Sequence, residues 1–392
     1  MSAESPGAEG AAPARVVFVA GEESGDALGA GLIEALRRRC PGVVCEGVAG
    51  PRMQAAGCRT WFPADRLAVM GLVEVLARVP GLWRLRRELL RRLRRDPPDA
   101  FVGIDAPEFN LGLERRARAL GIPTVHYVSP TVWAWRRGRL RTIAAAVDRM
   151  LTLFPFEEAL YRERGIPVTC VGHPFADEIP LEDRRIAARE RLGLAPDATV
   201  LALLPGSREG EVRRLGAAFL HAAAWCRARR PELVVLAAMA GPKVRARFEA
   251  IRAGAGAGVP LTAIEGATRE VLAAADVVLA ASGTATLEAM LTRRPMVVAY
   301  RMHPLTYRLA RRLVHLRRIA LPNILAGADL VPEFLQDAVQ APALGRALLD
   351  WLERPDAVRA LQGRFAALHR DLRRGASARA AEAVAGTAGC GP

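Results

Sequence analysis

Three short segments combine small residues, hydroxyls and charges in ways that suit phosphate and proton-transfer chemistry. Gly103-Ile104-Asp105-Ala106-Pro107 sets a carboxylate directly after the apolar run Ala100–Ile104. At the carboxyl end of a strand, where open α/β sheets bind ligands, partial desolvation suits such a group to general-base work. The same aspartate also reads as a loop cap. Leu204-Pro205-Gly206-Ser207-Arg208 follows a second apolar run and precedes a helical pattern. Backbone donors at Gly206, the Ser207 hydroxyl and the Arg208 guanidinium fork suit a pyrophosphate. Ala281-Ser282-Gly283-Thr284-Ala285-Thr286-Leu287-Glu288 repeats that logic, and Glu288, one turn inside the helix, can accept both hydroxyls of a ribose. Two such loops in one domain point to a nucleoside diphosphate. Asn323 of Leu321-Pro322-Asn323 lies beyond them and can aim its amide into the same cleft.

The first half carries a further loop, Gly21-Glu22-Glu23-Ser24-Gly25-Asp26, which opens a helix directly after Val16–Ala20. Its spacing is not GxGxxG, so a dinucleotide is not indicated. Ser24 and Asp26 read either as helix caps or as ligands for an anion or hydroxyl at the helix N-terminus. Trp133 and Trp135, two of six tryptophans, follow His126-Tyr127-Val128-Ser129-Pro130. They form a wall for a sugar or acyl chain, or fill a core. The six histidines are dispersed without ligand spacing, so neither a metal nor a cofactor is expected. His173, in Val171-Gly172-His173-Pro174, sits at a domain junction as a hinge, cleft or simple turn residue.

The elements that must position these loops alternate. Apolar runs at Val16–Ala20, Val43–Val48, Ala100–Ile104, Thr124–Val128 and Met150–Phe154 are separated by helical patterns. The series resumes at Val200–Leu204, Leu233–Ala238, Leu261–Ile264, Val277–Ala280 and Met296–Ala299. Strands divided by helices predict parallel sheets covered on both faces. Two Rossmann-like domains follow, 15–172 and 173–350, after a flexible tail at 1–14. The charged stretch from about Pro174 to Pro196 suits a linker. Helices over 351–388, with Leu361, Phe365, Leu368 and Leu372 on one stripe, pack back on the first domain or on a partner subunit.

Composition narrows the class. With 51% apolar residues and 25% charged, disorder and small disulfide scaffolds are excluded. The net charge of +15 draws the chain to anionic surfaces, yet Lys243 is its only lysine, which looks like coding bias rather than selection for nucleic acid. Six scattered cysteines without CxxC spacing read as reduced, mostly buried thiols. The first residues lack a signal-peptide pattern, and no run is long and apolar enough to span a bilayer, so a cytosolic protein is expected. Leu67–Arg95 passes from apolar residues to arginines interleaved with leucines, with Pro80-Gly81 breaking it into two short helices. It reads as a core helix with a solvated basic face. It also reads as an interfacial patch in which Met70, Leu72, Val73, Leu76 and Trp83 enter the headgroup region beside Arg84, Arg86, Arg87, Arg91, Arg92, Arg94 and Arg95.

The ordered blocks GEESGD, GPRMQAAG, LAVMGLVEVL, GIDAPEFN, HYVSPTVWAW, VGHPFAD, LPGSREGEV, SGTATLE, YRMHP and LPNILAG resemble bacterial lipid-A-disaccharide synthases from about Val16 to the final helices. The resemblance implies a GT-B fold: two Rossmann-like domains with parallel sheets facing across a central cleft. It implies an inverting, metal-independent transfer from UDP-2,3-diacylglucosamine to 2,3-diacylglucosamine 1-phosphate. The products are a β(1→6) disaccharide 1-phosphate and UDP. It further implies peripheral association with the inner face of the cytoplasmic membrane, and a homodimer. Carried over, Asp105 is the base. Gly206, Ser207, Arg208, Ser282, Gly283, Thr284, Glu288 and Asn323 hold the nucleotide sugar, with Arg208 and Asn323 close to the chemistry. Glu22, Ser24, Asp26, Trp133 and Trp135 line the acceptor side, and Leu67–Trp83 corresponds to the membrane-contact region. Glu23 stands where a small residue is usual, and Pro174-Phe175 where smaller or polar ones occur. A rival UDP-sugar enzyme, a UDP-N-acetylglucosamine epimerase or a peptidoglycan glycosyltransferase, would share the nucleotide half and lack the lipid-facing stretch. A nucleic-acid binder would gather its arginines with aromatics on one face, whereas here they spread over most helices.

Overall fold

The structure, a computed structural model, describes residues 13–67, 72–133, 138–255, 258–303, 307 and 317–390, the side chains of 72–79 excepted. It divides into two units. The first comprises residues 1–174 and 374–392, the second 175–373.

The first unit is built on strands β1 (Arg15–Ala20), β2 (Val44–Ala49), β3 (Arg59–Pro63), β4 (Ala100–Ile104), β5 (Thr124–Tyr127), β6 (Arg149–Thr152) and β7 (Val168–Cys170). Its sheet runs β3-β2-β1-β4-β5-β6-β7, parallel throughout. The run VVFVA is apolar at every position because both faces of β1 are covered. Val16, Phe18 and Ala20 pack beneath helix Glu23–Arg39, while Val17 and Val19 join Leu85, Leu89 and Leu113 on the other face. Helix Ala376–Ala388 also belongs to this unit and packs along Glu23–Arg39, burying Ala380, Ala381 and Val384.

The second unit repeats the pattern with β8 (Val200–Leu204), β9 (Val234–Met239), β10 (Thr262–Glu265), β11 (Val277–Ala281), β12 (Met296–Tyr300) and β13 (Glu333–Leu335), ordered β10-β9-β8-β11-β12-β13. In both sheets the strand order reverses beside the first strand, between β1 and β4 and between β8 and β11. Chains leaving such a pair diverge to opposite faces and open a crevice at the carboxyl ends. The Gly21–Asp26, Asp105, Gly206–Arg208 and Ser282–Glu288 loops each leave one of these four strands, whereas the Trp133 loop follows β5 and His173 follows β7.

Several expectations are corrected. The stretch expected as a linker carries helices Pro174–Glu178 and Arg185–Arg191, and Arg189 is buried. The Arg189 guanidinium donates to Asp276 and to the carbonyls of Ala274 and Pro196, and Arg294 pairs with Asp183, so charge pairing replaces apolar burial there. Pro80 does not split its segment: one helix runs Leu72–Arg95 with Pro80 inside and exposed. A proline deletes one backbone bond, while Leu85, Leu89, Leu90 and Leu93 anchor the downstream half. The last helices do not travel together: Pro355–Leu372 stays with the second unit and only Ala376–Ala388 joins the first. Strands β3, β7 and β13 carried no recognised signal. Each is a short edge strand of three to five residues, only partly buried, so its alternation is weak.

Candidate active site

In the first unit the helix after β1 begins at Glu23, with Glu22 extended at its N-cap and contributing no side-chain cap. Glu22, Glu23 and Ser24 are exposed at the rim of the crevice. Asp26 is not with them. It is buried, its Oδ1 accepts the N–H groups of Gly50 and Met53 and its Oδ2 that of Arg52. Its carboxylate thus caps helix Pro51–Ala55, and the acceptor role expected for it gives way to a structural one, because the buried side chain is held by three backbone donors.

Across the crevice Asp105 leaves β4, and both it and Ala106 are left-handed, with φ of 51° and 43°. Val128, at the end of β5, has φ of 82°. A non-glycine residue held there costs roughly 1–3 kcal/mol, and such strain collects at functional sites. The Asp105 side chain is half-buried, and its N–H donates to the Tyr127 carbonyl. Asn110, fully buried on helix Pro107–Arg118, directs Nδ2 to the carbonyls of Asp105 at 2.8 Å, Val19 at 3.2 Å and Ile104 at 3.3 Å.

One turn on, Glu114 Oε1 lies 2.7 Å from His126 Nδ1, and both side chains are wholly buried. Burial pushes the Glu114 carboxyl up, against the pull of His126. Gly103 makes the approach possible, since a Cβ there would lie 2.0 Å from Glu114 Oε1. Asn110, Glu114 and His126 were missed in the sequence. The available signal was two polar residues four apart on a helix face that otherwise needs apolar ones, opposite a glycine in a strand.

Trp133 is half-buried and meets the Phe156 ring edge-on at 5.3 Å, so the loop after β5 is partly core-packed. Beneath it Glu157 is buried, and its Oε2 accepts the Phe154 N–H at 3.1 Å. Burial raises that carboxyl to about 7. His173 is also buried and lies against the Phe154 ring. Trp135 and Met70 lie outside the described residues, as do the side chains of Leu72, Val73 and Leu76. Trp83 is 63% exposed.

In the second unit Gly206 turns the chain out of β8 with φ of 136°, and a Cβ would meet Glu211 Oε2 at 2.7 Å. That same oxygen accepts the N–H of Ser207 at 3.0 Å and of Arg208 at 3.3 Å. Two backbone donors of the loop are therefore occupied by the chain's own carboxylate. Arg208 is exposed, and its guanidinium has no partner among the described residues. At the end of β11, Ser282 Oγ donates to the Ile319 carbonyl at 2.8 Å, Gly283 and Thr284 are exposed, and Thr286 Oγ1 accepts the Leu321 N–H. Glu288 receives Nε of Arg269 at 3.2 Å; burial pushes its carboxyl up and Arg269 opposes this. Arg269 also grips Glu178 and covers the Phe175 ring.

The expectation for Asn323 is corrected. It is buried, its Nδ2 donates to the Val331 carbonyl and Glu333 Oε1, and its Oδ1 accepts the N–H groups of Leu330 and Val331. No hydrogen-bonding capacity is left for a ligand. The segment Ile319–Leu321 does reach the Ser282 loop, as expected of LPN, but with its amide turned inward. Among the described residues no group of three His, Cys, Asp or Glu side chains is placed to hold a metal. No described helix is long and apolar enough to cross a membrane.

Comparisons with known proteins are consistent along the chain. The family model for lipid-A-disaccharide synthetase matches residues 16–384. The lipid-A-disaccharide synthase of Alkalilimnicola ehrlichii is 54% identical over 377 residues, covering 96% of this chain and 99% of that protein. The enzyme of that name from Pseudomonas aeruginosa is 54% identical over 370 residues, covering 94% and 97%. Among solved structures, the UDP-GlcNAc 2-epimerase of Neisseria meningitidis bound to UDP-GlcNAc superposes with a TM-score of 0.62 at 12% identity, over 95% of this chain and 99% of that one. The glycosyltransferase of kitacinnamycin gives 0.60 at 17% identity, over 96% and 99%. These two likenesses concern the fold.

Proposed function

The chain belongs to the lipid-A-disaccharide synthase family of glycosyltransferases with a GT-B fold, and we propose that it joins two diacylated glucosamines. UDP-2,3-diacylglucosamine is the donor and 2,3-diacylglucosamine 1-phosphate the acceptor. Asp105 takes the proton of the acceptor 6-hydroxyl as its oxygen attacks the anomeric carbon. The bond from that carbon to the UDP oxygen breaks, configuration inverts, and UDP leaves. The observation that carries this reading is Asp105 itself: a half-buried carboxylate held in a strained turn at the strand-order reversal of its sheet.

Charge developing on the departing UDP falls to Arg208, whose guanidinium has no partner among the described residues, with the Ser207 and Thr284 hydroxyls and the N–H groups of Gly283 and Thr284 supplying further donors beside Ser282. No metal is needed in this scheme. Glu288, steadied by Arg269, accepts from the ribose, and Glu22 and Ser24 meet the acceptor. Asp26 and Asn323 serve as positioning residues beneath those loops. Exposed Trp83 and the arginines that follow it rest on the inner face of the cytoplasmic membrane, and the enzyme works as a homodimer. Transfer with the two diacylated substrates, run with and without EDTA, tests the scheme. Disaccharide 1-phosphate formed equally in both arms supports it; no product, or product only without EDTA, counts against it.

A further inference from the structure

The buried amide of Asn110 is a group that no step above uses. Strands β1 and β4 are neighbours in the sheet, with Val19 opposite Gly103 and Ala20 opposite Ile104. Beyond that point the chains part, and a buried carbonyl left without a donor there would be costly. Asn110 Nδ2 reaches three of them: Val19 at 3.2 Å, Ile104 at 3.3 Å and Asp105 at 2.8 Å. The nearest belongs to the first of two consecutive left-handed residues, Asp105 and Ala106. The amide's other end does nothing comparable, since Oδ1 is buried with no partner among the described residues. Only the donating nitrogen is used. An aspartate there would set a carboxylate against three carbonyl oxygens.

Resting on the reading of Asp105 as the base, we propose that Asn110 is its positioning residue. Its amide clamps the reversal between β1 and β4 and holds the strained turn that presents the carboxylate. Gly103, against which Asn110 Cβ and Cγ pack at 3.0 and 3.1 Å from where a Cβ would be, gives the clamp its room.

The test measures kcat, KM for each substrate and UDP affinity in Asn110→Ala, Asn110→Ala with Ala106→Gly, and Asp105→Asn. Loss of the clamp lowers kcat 10- to 100-fold and leaves both KM values and UDP affinity within about twofold. Glycine at 106 adopts the left-handed conformation without steric cost, so the double variant recovers at least a third of the lost turnover. Near-normal kcat in Asn110→Ala overturns the proposal. So does a loss that Ala106→Gly leaves untouched, because a purely structural role gives that result. Near-normal turnover in Asp105→Asn overturns the underlying reading instead. If Asn110→Ala does not fold, Asn110→Ser with and without Ala106→Gly is judged by the same two outcomes.

Discussion

Asn323 Nδ2 lies 2.8 Å from Glu333 Oε1. The two oxygens of Glu333 also accept the N–H groups of Ile319 and Ala320, so one carboxylate ties the LPN segment to β13. The asparagine that sequence aimed at a ligand is instead the pin of a turn. Asn323→Ala should cost about 2–4 kcal/mol of stability, because it strands buried donors and acceptors. Thermal unfolding reads the loss. Full stability with lost UDP binding would return the amide to the ligand.

Asp105→Asn keeps the shape of the turn and removes the proton acceptor. Turnover should fall roughly 10²- to 10⁴-fold while UDP affinity stays as in the parent protein. Steady-state kinetics and UDP titration check this together, and turnover near that of the parent would remove Asp105 from the chemistry.

Arg208 and its neighbour Glu211 should separate cleanly. Arg208→Ala deletes an exposed cation with no partner among the described residues, so stability should move by less than about 0.5 kcal/mol while kcat/KM drops roughly 10- to 100-fold. Glu211→Ala releases the N–H groups of Ser207 and Arg208 and should cost about 1 kcal/mol of stability. Equal destabilisation by the two substitutions would contradict this division.

Vesicle flotation addresses the basic helix. Arg87, Arg91 and Arg94 line open surface beside Trp83, and a cation near an anionic bilayer is worth about 1 kcal/mol. Replacing these three with glutamine should weaken binding to anionic vesicles roughly 100-fold or more, with little effect on neutral ones. Unchanged flotation would assign the helix to the protein surface alone.

Glu157 gives the first unit a pH dependence of defined sign. Burial raises its carboxyl from an ordinary 4.5 to about 7, against the hydrogen bond from the Phe154 N–H. Below pH 4.5 the group is protonated in both folded and unfolded chains, and nothing is lost. Between 4.5 and 7 the unfolded chain gives up the proton and the folded one keeps it, so stability falls as pH rises, by on the order of 3 kcal/mol. Glu157→Gln should flatten that fall. Melting curves from roughly pH 4 to 8 measure it, and an unaltered slope would place the titration elsewhere.

Much of the fold was legible. Ten of the thirteen described strands announce themselves as apolar runs, nine of them interior strands covered on both faces and β10 an edge strand read from the apolar Leu261–Ile264. The other three edge strands, β3, β7 and β13, escaped, being short and half-covered with no apolar run of their own. Family membership was also legible, in the order and content of the motif blocks. The fold by itself would not have separated a glycosyltransferase from a UDP-GlcNAc 2-epimerase, since both superpose on this chain.

Sequence by itself determined which loops are candidates, because glycines, hydroxyls and charges directly after buried strands can be read locally. It did not determine which polar side chains in those loops remain free. Asp26 is taken up by amides at Gly50, Arg52 and Met53, and Asn323 by residues 330–333. Each partner is distant in sequence or set by a neighbouring turn. A buried polar atom must be paired, and only tertiary packing decides with what. That packing leaves Arg208 unpartnered among the described residues and Asp105 held in a strained turn.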